Sequence, residues 1–273
     1  KIYNSKNKII NFMKIKKFKP TSPGVRHRVV IQKNLLGKNN SLIKNLIQPL
    51  KQSFGRSTNT GRITAWHRGG GVKRKYRDFL GKNSFAGFIV VGVFYDPNRS
   101  AYISLNFDII TKTFEFSIAP FYVLPGSCFL INDTLGDLNL GARTSLRSLP
   151  PGSIIHNIGL ATKRLGVYGR SAGTSCQIIQ KDSKYASIKL PSGKIIKLPL
   201  SYYASLGFVS NFENRLTVPG KAGSVRLKGR RPIVRGIAMN PVDHPHGGRT
   251  NGGRPCVTPW GIPTKGKPTV KRK

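Results

Sequence analysis

One cluster in the chain has the residue types for acid–base or metal chemistry: Asp243-His244-Pro245-His246. Histidine titrates near neutrality and is a common metal ligand. Two histidines spaced by one residue do not by themselves make a metal site. No ligand beyond Asp243 completes a set, and Cys128, Cys176 and Cys256 lie far apart without a C-x-x-C pair. There is no G-x-S-x-G elbow, H-E-x-x-H helix or phosphate-binding P-loop. The whole chain holds 9 acids, too few for the paired carboxylates of a hydrolase or a metal-dependent nuclease. Asp96 reads as a turn residue, and Asp133 and Asp137 as polar loop positions. His27, His67 and His156 are scattered contact or packing residues. The reading is therefore no enzyme, no protein-bound metal, no cofactor and no small-molecule substrate, with any magnesium carried by a nucleic acid. Histidines in a cationic, glycine-flanked segment suit bonding or stacking on RNA.

Charge says where such an RNA would lie. The chain has 47 Lys and Arg in 273 residues, a formal net charge of +38. The first 77 residues contain 20 of these bases and no acid, and the last 60 contain 14 with Asp243 alone against them. The 136 residues between carry 13 bases and 8 acids, nearly balanced. Two strongly cationic arms repel themselves unless a polyanion neutralises them. Nucleic acid is the expected partner. A cationic membrane-surface protein is the rival from another class, but it needs a long amphipathic basic helix that neither arm provides. No apolar run approaches the length of a membrane span. The lysine-rich start is broken by polar residues throughout, unlike a secretory signal.

Within the first arm the densest stretch is 61–77, with Gly69-Gly70-Gly71 at its centre. Bare backbone at Gly70 allows close approach to a ribose-phosphate chain. Arg62, Arg68, Lys73, Arg74, Lys75 and Arg77 supply phosphate contacts, Trp66 and Tyr76 stack on unpaired bases, and His67 adds a simple contact to the RNA. In the second arm the same roles fall to Lys221, Arg226, Arg230, Arg231, Arg235, Arg249, Arg254 and Lys265, with His244, His246 and Trp260. Prolines and glycines dominate beyond Met239, so this arm has no hydrophobic core of its own and takes an ordered path from what it binds.

The centre holds strands. Phe85–Tyr95 is a β-rich run with Gly87 and Gly92 as bulge or corner positions. Asp96-Pro97-Asn98-Arg99 is a turn by chemistry. Ala101–Phe107 and Phe114–Ile118 alternate, and Cys128–Ile131 adds a further strand. After Leu149-Pro150-Pro151-Gly152 come strands at 154–158, 176–180, 186–190 and 194–198, the last two joined by Pro191-Ser192-Gly193. A short helix is expected near Ser41–Leu50 and a helical turn at Ser201–Leu206. Short strands at this spacing predict two small antiparallel barrels.

Pro241-Val242-Asp243-His244-Pro245-His246-Gly247-Gly248, with Val257-Thr258-Pro259-Trp260-Gly261 and Pro263-Thr264-Lys265-Gly266, resembles the ribosomal protein L2 (uL2) family of the large subunit. Lys19–Gly24, Gly61–Thr64, Tyr95–Ala101, Gly169–Thr174 and Arg231–Gly236 carry the resemblance across most of the chain, in order. It implies a mainly β protein: a basic N-terminal arm at 1–79, an OB-like barrel at 80–148, an SH3-like barrel at 149–213, and a Gly/Pro-rich basic arm at 214–273. It also implies binding to large-subunit ribosomal RNA, with Arg99 and Arg170 adding contacts from barrel loops. Neighbouring ribosomal proteins, and the small subunit across an intersubunit bridge, are further implied partners. His244 is implied near the peptidyl transferase centre in a supporting role. Val72 stands where bacterial members often have histidine, Leu227 where tryptophan is common, and Arg249 follows Gly248 where members continue with more residues. Residues 1–18 precede the usual start, and 132–142 match poorly. That pattern resembles an organellar, mitochondrial version; a plastid or the bacterial cytoplasm is the alternative.

Overall fold

The computed structural model describes residues 15–33, 36–37, 41–50, 54–79, 87–130, 139–160, 166–249 and 254–266. The lysine-rich start at 1–14, the Asn39-Asn40 loop, Phe85 and Ala86, and Asp133 with Asp137 lie outside the described residues. The chain forms two compact units: 1–51 with 73–222, and 52–72 with 223–273.

Among the described residues, every strand lies in the first unit. Two short ribbons come first, β1 (Ile15–Lys17) with β2 (Val29–Ile31) and β3 (Ile47–Pro49) with β4 (Lys75–Arg77). The helix expected near Ser41–Leu50 is a 3₁₀ turn at Ser41–Leu46 that gives way to β3. Pro49 explains the early stop, because proline and the residue before it both resist helical continuation.

β5 (Gly87–Phe94), β6 (Ile103–Asp108), β7 (Phe114–Ile118) and β8 (Cys128–Leu130) form an antiparallel sheet in the order β7-β6-β5-β8. The register of β5 on β6 slips between Val90 and Gly92, which places a bulge at the glycine. Ile103, Leu105, Phe116 and Ile118 are buried on one face, while Val90, Val93, Tyr102 and Phe129 build a second cluster. Burial pushes the Tyr102 phenol up to about 12. The polar side of β6 is buried too. Ser104 and Ser117 share a 2.8 Å hydroxyl contact, and Asn106 donates to Ser117 at 2.8 Å. Alternation alone would have left these residues wet.

The second sheet contains β9 (Arg143–Ser145), β10 (Ile154–Gly159), β11 (Cys176–Lys181), β12 (Tyr185–Lys189), β13 (Ile195–Pro199) and β14 (Tyr203–Leu206). Its order is β13-β12-β11-β10-β14-β9. The β12–β13 hairpin closes through Leu190 N–H to the Lys194 carbonyl at 2.9 Å, with Gly193 at φ 85°. Leu146, Leu149, Ile155, Ile158, Ile178 and Ile188 are fully buried in its core. Each contributes about 2 kcal/mol of gross burial, which offsets the ordering of a small domain.

The helical turn expected at Ser201–Leu206 is instead the strand β14, paired to β10 on one side and β9 on the other. Ala204 is fully buried there, so tertiary burial overrides a weak local preference. The two barrels are tied by hydrogen bonds, two of them between main-chain groups. Phe121 N–H donates to Phe208 O at 2.8 Å, Ser210 N–H to Ala119 O at 3.1 Å, and Tyr102 N–H to Ser210 Oγ at 3.2 Å. The fold is mainly β, an OB-like barrel followed by an SH3-like barrel.

Candidate nucleic-acid interface

The second unit joins two segments that lie far apart in sequence, and no hydrophobic cluster supports it among the described residues. Backbone hydrogen bonds do the work. Gly69 N–H donates to Gly229 O at 3.0 Å, Val72 N–H to Leu227 O at 3.1 Å, and Arg231 N–H to His67 O at 3.0 Å. Arg68 bridges Arg230 antiparallel, and His67 Nδ1 lies 3.0 Å from the Pro232 carbonyl. The triple glycine makes this possible. A Cβ on Gly71 would sit 2.8 Å from Gly229 Cα, with backbone on both sides and nowhere to move. The ladder also sets Val72 and Leu227, the two positions that depart from the pattern, directly against each other.

Residues 54–65 fold as a hairpin, with Ser57 N–H on Arg62 O at 2.9 Å and Thr64 N–H on Gly55 O at 2.8 Å. Arg62 and Trp66 are exposed there. The helix α1 (Ala222–Leu227) carries Arg226, whose Nη1 is buried without a hydrogen-bond partner. Arg230, Arg231 and Arg235 are exposed beyond it.

The histidine loop is built from turns. Gly236–Ala238 is a 3₁₀ turn, His244 N–H reaches Asn240 O at 3.3 Å, and Gly247 N–H returns to His244 O at 2.8 Å. The turn at Pro245 brings the His244 and His246 rings to 4.6 Å between centroids. His246 N–H donates to His244 Nδ1 at 3.0 Å, which places the His244 proton on Nε2. His246 Nε2 lies 2.8 Å from Pro255 O and 3.2 Å from Val257 N–H. Arg254 Nη1 donates to Pro245 O at 2.6 Å and to Gly247 O at 2.9 Å. His244 is 8% exposed, packed where a Cβ on Gly236 would come within 2.6 Å of its Nδ1. Among the described residues no three His, Cys, Asp or Glu side chains gather as a metal site. Arg249 and Lys265 are exposed, and Trp260 projects from a tight turn closed by Gly261 N–H on Thr258 O at 2.9 Å.

The remaining residues singled out by sequence sit on the first unit. Lys73, Lys75, Arg170 and Lys221 are exposed, and Tyr76 is half-buried. Arg74 donates to Pro97 O at 3.3 Å. Arg99 and Arg77 reach the wholly buried Asp96 at 2.7 Å and 3.7 Å, and Arg99 also lies 4.0 Å over the Phe79 ring. Both arginines therefore hold the turn together. Asp96 Oδ1 accepts Asn98 N–H at 2.9 Å, the bond that makes it a turn residue. Sequence reasoning passed over Arg56, which lines the same cleft as Arg68 and Arg226; a lone arginine before a polar loop gives no local signal. Burial pushes the Cys176 thiol up to about 11, so it is no nucleophile at neutral pH.

Two small barrels together with a coreless, arginine-rich unit define a structural nucleic-acid-binding protein. Residues 43–127 match the model of the ribosomal proteins L2 RNA-binding N-terminal domain, and 139–261 that of the L2 C-terminal domain. Large ribosomal subunit protein uL2m of Reclinomonas americana is 45% identical over 267 residues, covering 96% of this chain and 95% of its own. The uL2 proteins of Rickettsia massiliae and Rickettsia prowazekii are each 43% identical, covering 96% of both chains. The chain belongs to the ribosomal protein L2 (uL2) family: a structural, ribosomal-RNA-binding constituent of the large subunit and not an enzyme.

Proposed function

We propose that this chain works in the large subunit of a mitochondrial ribosome, where its glycine-rich unit inserts between RNA strands and its barrel loops add further phosphate contacts. The observation that carries the reading is charge. Residues 52–72 and 223–273 hold 15 Lys and Arg against the single acid Asp243. Such a surface gains its affinity by releasing counterions from phosphates, so exposed Arg62, Arg68, Lys73, Lys75, Arg170, Lys221, Arg230, Arg231, Arg235, Arg249 and Lys265 position the protein on RNA. The relative named uL2m supports the mitochondrial assignment, and the Rickettsia relatives make the bacterial cytoplasm its alternative.

The peptide bond is made by RNA, and the His244 loop supports the RNA around that centre. Arg254 and His246 pin the loop before any RNA arrives, which lowers the ordering penalty of binding. Neighbouring ribosomal proteins, and the small subunit across an intersubunit bridge, complete its partners. Sedimentation of native particles at moderate salt tests the assignment. The protein should travel with the large subunit, and its recovery outside those particles would overturn the reading. Crosslinks from the His244 loop should fall on nucleotides around the peptidyl transferase centre.

A further inference from the structure

Two clefts in the glycine-rich unit share one wall, formed by Trp66, His67 and Val234. The first, about 630 Å³, is lined by Arg56, Arg68, Arg226 and Arg231 with no acid among its lining residues. Arg226 Nη1 is buried there without a hydrogen-bond partner, and Gly70 covers the guanidinium so closely that a Cβ would lie 3.0 Å from Nη2. An unpaired buried guanidinium N–H is unfavourable, and phosphate is the anion whose geometry its fork matches.

The second cleft, about 780 Å³, is lined by Trp66 and Trp260 with His67, His244 and Asp243. The two indoles meet edge to face, centroids 6.2 Å apart at 67°. Edge-to-face contact leaves each indole with an open face, and they stay 55% and 69% exposed. A flat ring left wet beside an arginine-lined cleft is a platform for a nucleobase, the planar apolar surface that RNA offers. Asn240 and Asp243 on the same lining supply an amide and a carboxylate for a base edge. The dividing wall is rigid. His67 holds φ at 58°, a conformation rare outside glycine, and is clamped by its bonds to Pro232 and Arg231.

We propose that this pair of clefts is a single-nucleotide subsite for ribosomal RNA: the arginine cleft takes a phosphate, and the tryptophan cleft takes one unpaired base stacked on Trp66 or Trp260. This deepens the RNA-binding reading and rests on it.

The chain has 2 tryptophans and both line the cleft, so intrinsic fluorescence reports on this site alone. Titration of the full-length protein with a large-subunit ribosomal RNA transcript should quench that emission and shield it from acrylamide. Heparin, a polyanion without bases, should bind through the same charges and leave the tryptophans accessible. At least one of Trp66→Ala and Trp260→Ala should weaken RNA binding by about tenfold, from the loss of one stacked base. Trp66→Phe and Trp260→Phe keep an aromatic face and should retain affinity, which separates stacking from misfolding. The subsite is refuted if the RNA is retained on filters while both tryptophans stay accessible to acrylamide. Equal quenching by heparin, or wild-type affinity in both alanine variants, also refutes it. If the transcript fails to bind at all, the RNA-binding reading falls first and this inference with it.

Discussion

His156 gives the sharpest test of the packing argument. It lies on β10, fully buried in the SH3-like barrel, with Nδ1 3.0 Å from the Gly207 carbonyl and Nε2 without a partner. Burial pulls its pKa from 6.5 down to about 4, against a smaller opposing pull from the Gly207 bond. Above pH 6.5 the ring is neutral in both folded and unfolded chains, and the barrel has its full stability. Between 6.5 and about 4 the unfolded chain takes up a proton that the folded one refuses, so stability falls with pH. At about 1.4 kcal/mol per pH unit, the total loss is on the order of 3 kcal/mol. Urea unfolding followed by far-ultraviolet circular dichroism from pH 7.5 to 4.5, in the native chain and in His156→Phe, reads this directly. Phenylalanine keeps the ring, leaves the Gly207 carbonyl short of a donor and costs about 1 kcal/mol at pH 7.5. The native protein should lose roughly 2–3 kcal/mol more than the variant on acidification. Parallel curves would show that His156 does not titrate against folding, and the burial argument would fail.

Three further outcomes follow from the geometry. Asp96→Ala strips two arginines of a fully buried carboxylate and should destabilise the first barrel by about 3 kcal/mol in urea, with Asp96→Asn less affected. Gly71→Ala forces its Cβ to 2.8 Å from Gly229 Cα, so the 67–72 ladder should open. RNA affinity should then fall several-fold while circular dichroism of the barrels is unchanged, as expected for loss of a preorganised surface. Arg254→Ala leaves the Pro245 and Gly247 carbonyls without their donor, and amide hydrogen exchange at Gly247 and Gly248 should quicken without a shift in the urea midpoint of the barrels.

The strands were legible because half-buried sheets impose alternation: Phe114, Phe116 and Ile118 stand out in any reading, and so does the Asp96 turn. The strand at Tyr203–Leu206 was not legible. Tyr203, Ala204, Ser205 and Leu206 carry no clear period-two signal, and the strand is defined by its pairing with β10 on one side and β9 on the other. Among site residues, the cationic and aromatic types at 61–77 and 221–265 were readable from composition. The facing of His244 and His246 was not, since a spacing of two says nothing until the turn at Pro245 is known.

Residue order and composition were enough to name the partner: segregated charge, a tail without a core, and ordered motifs that place the chain in its family. Charge is a sum over residues and acts at long range, so it survives ignorance of the fold. It took the folded chain to reveal that the glycine triplet zips onto 227–231 and brings Trp66 to Trp260. Contacts between segments so distant in sequence depend on steric fit, here bare backbone at Gly71 against Gly229, and neither segment carries a local sign of the other.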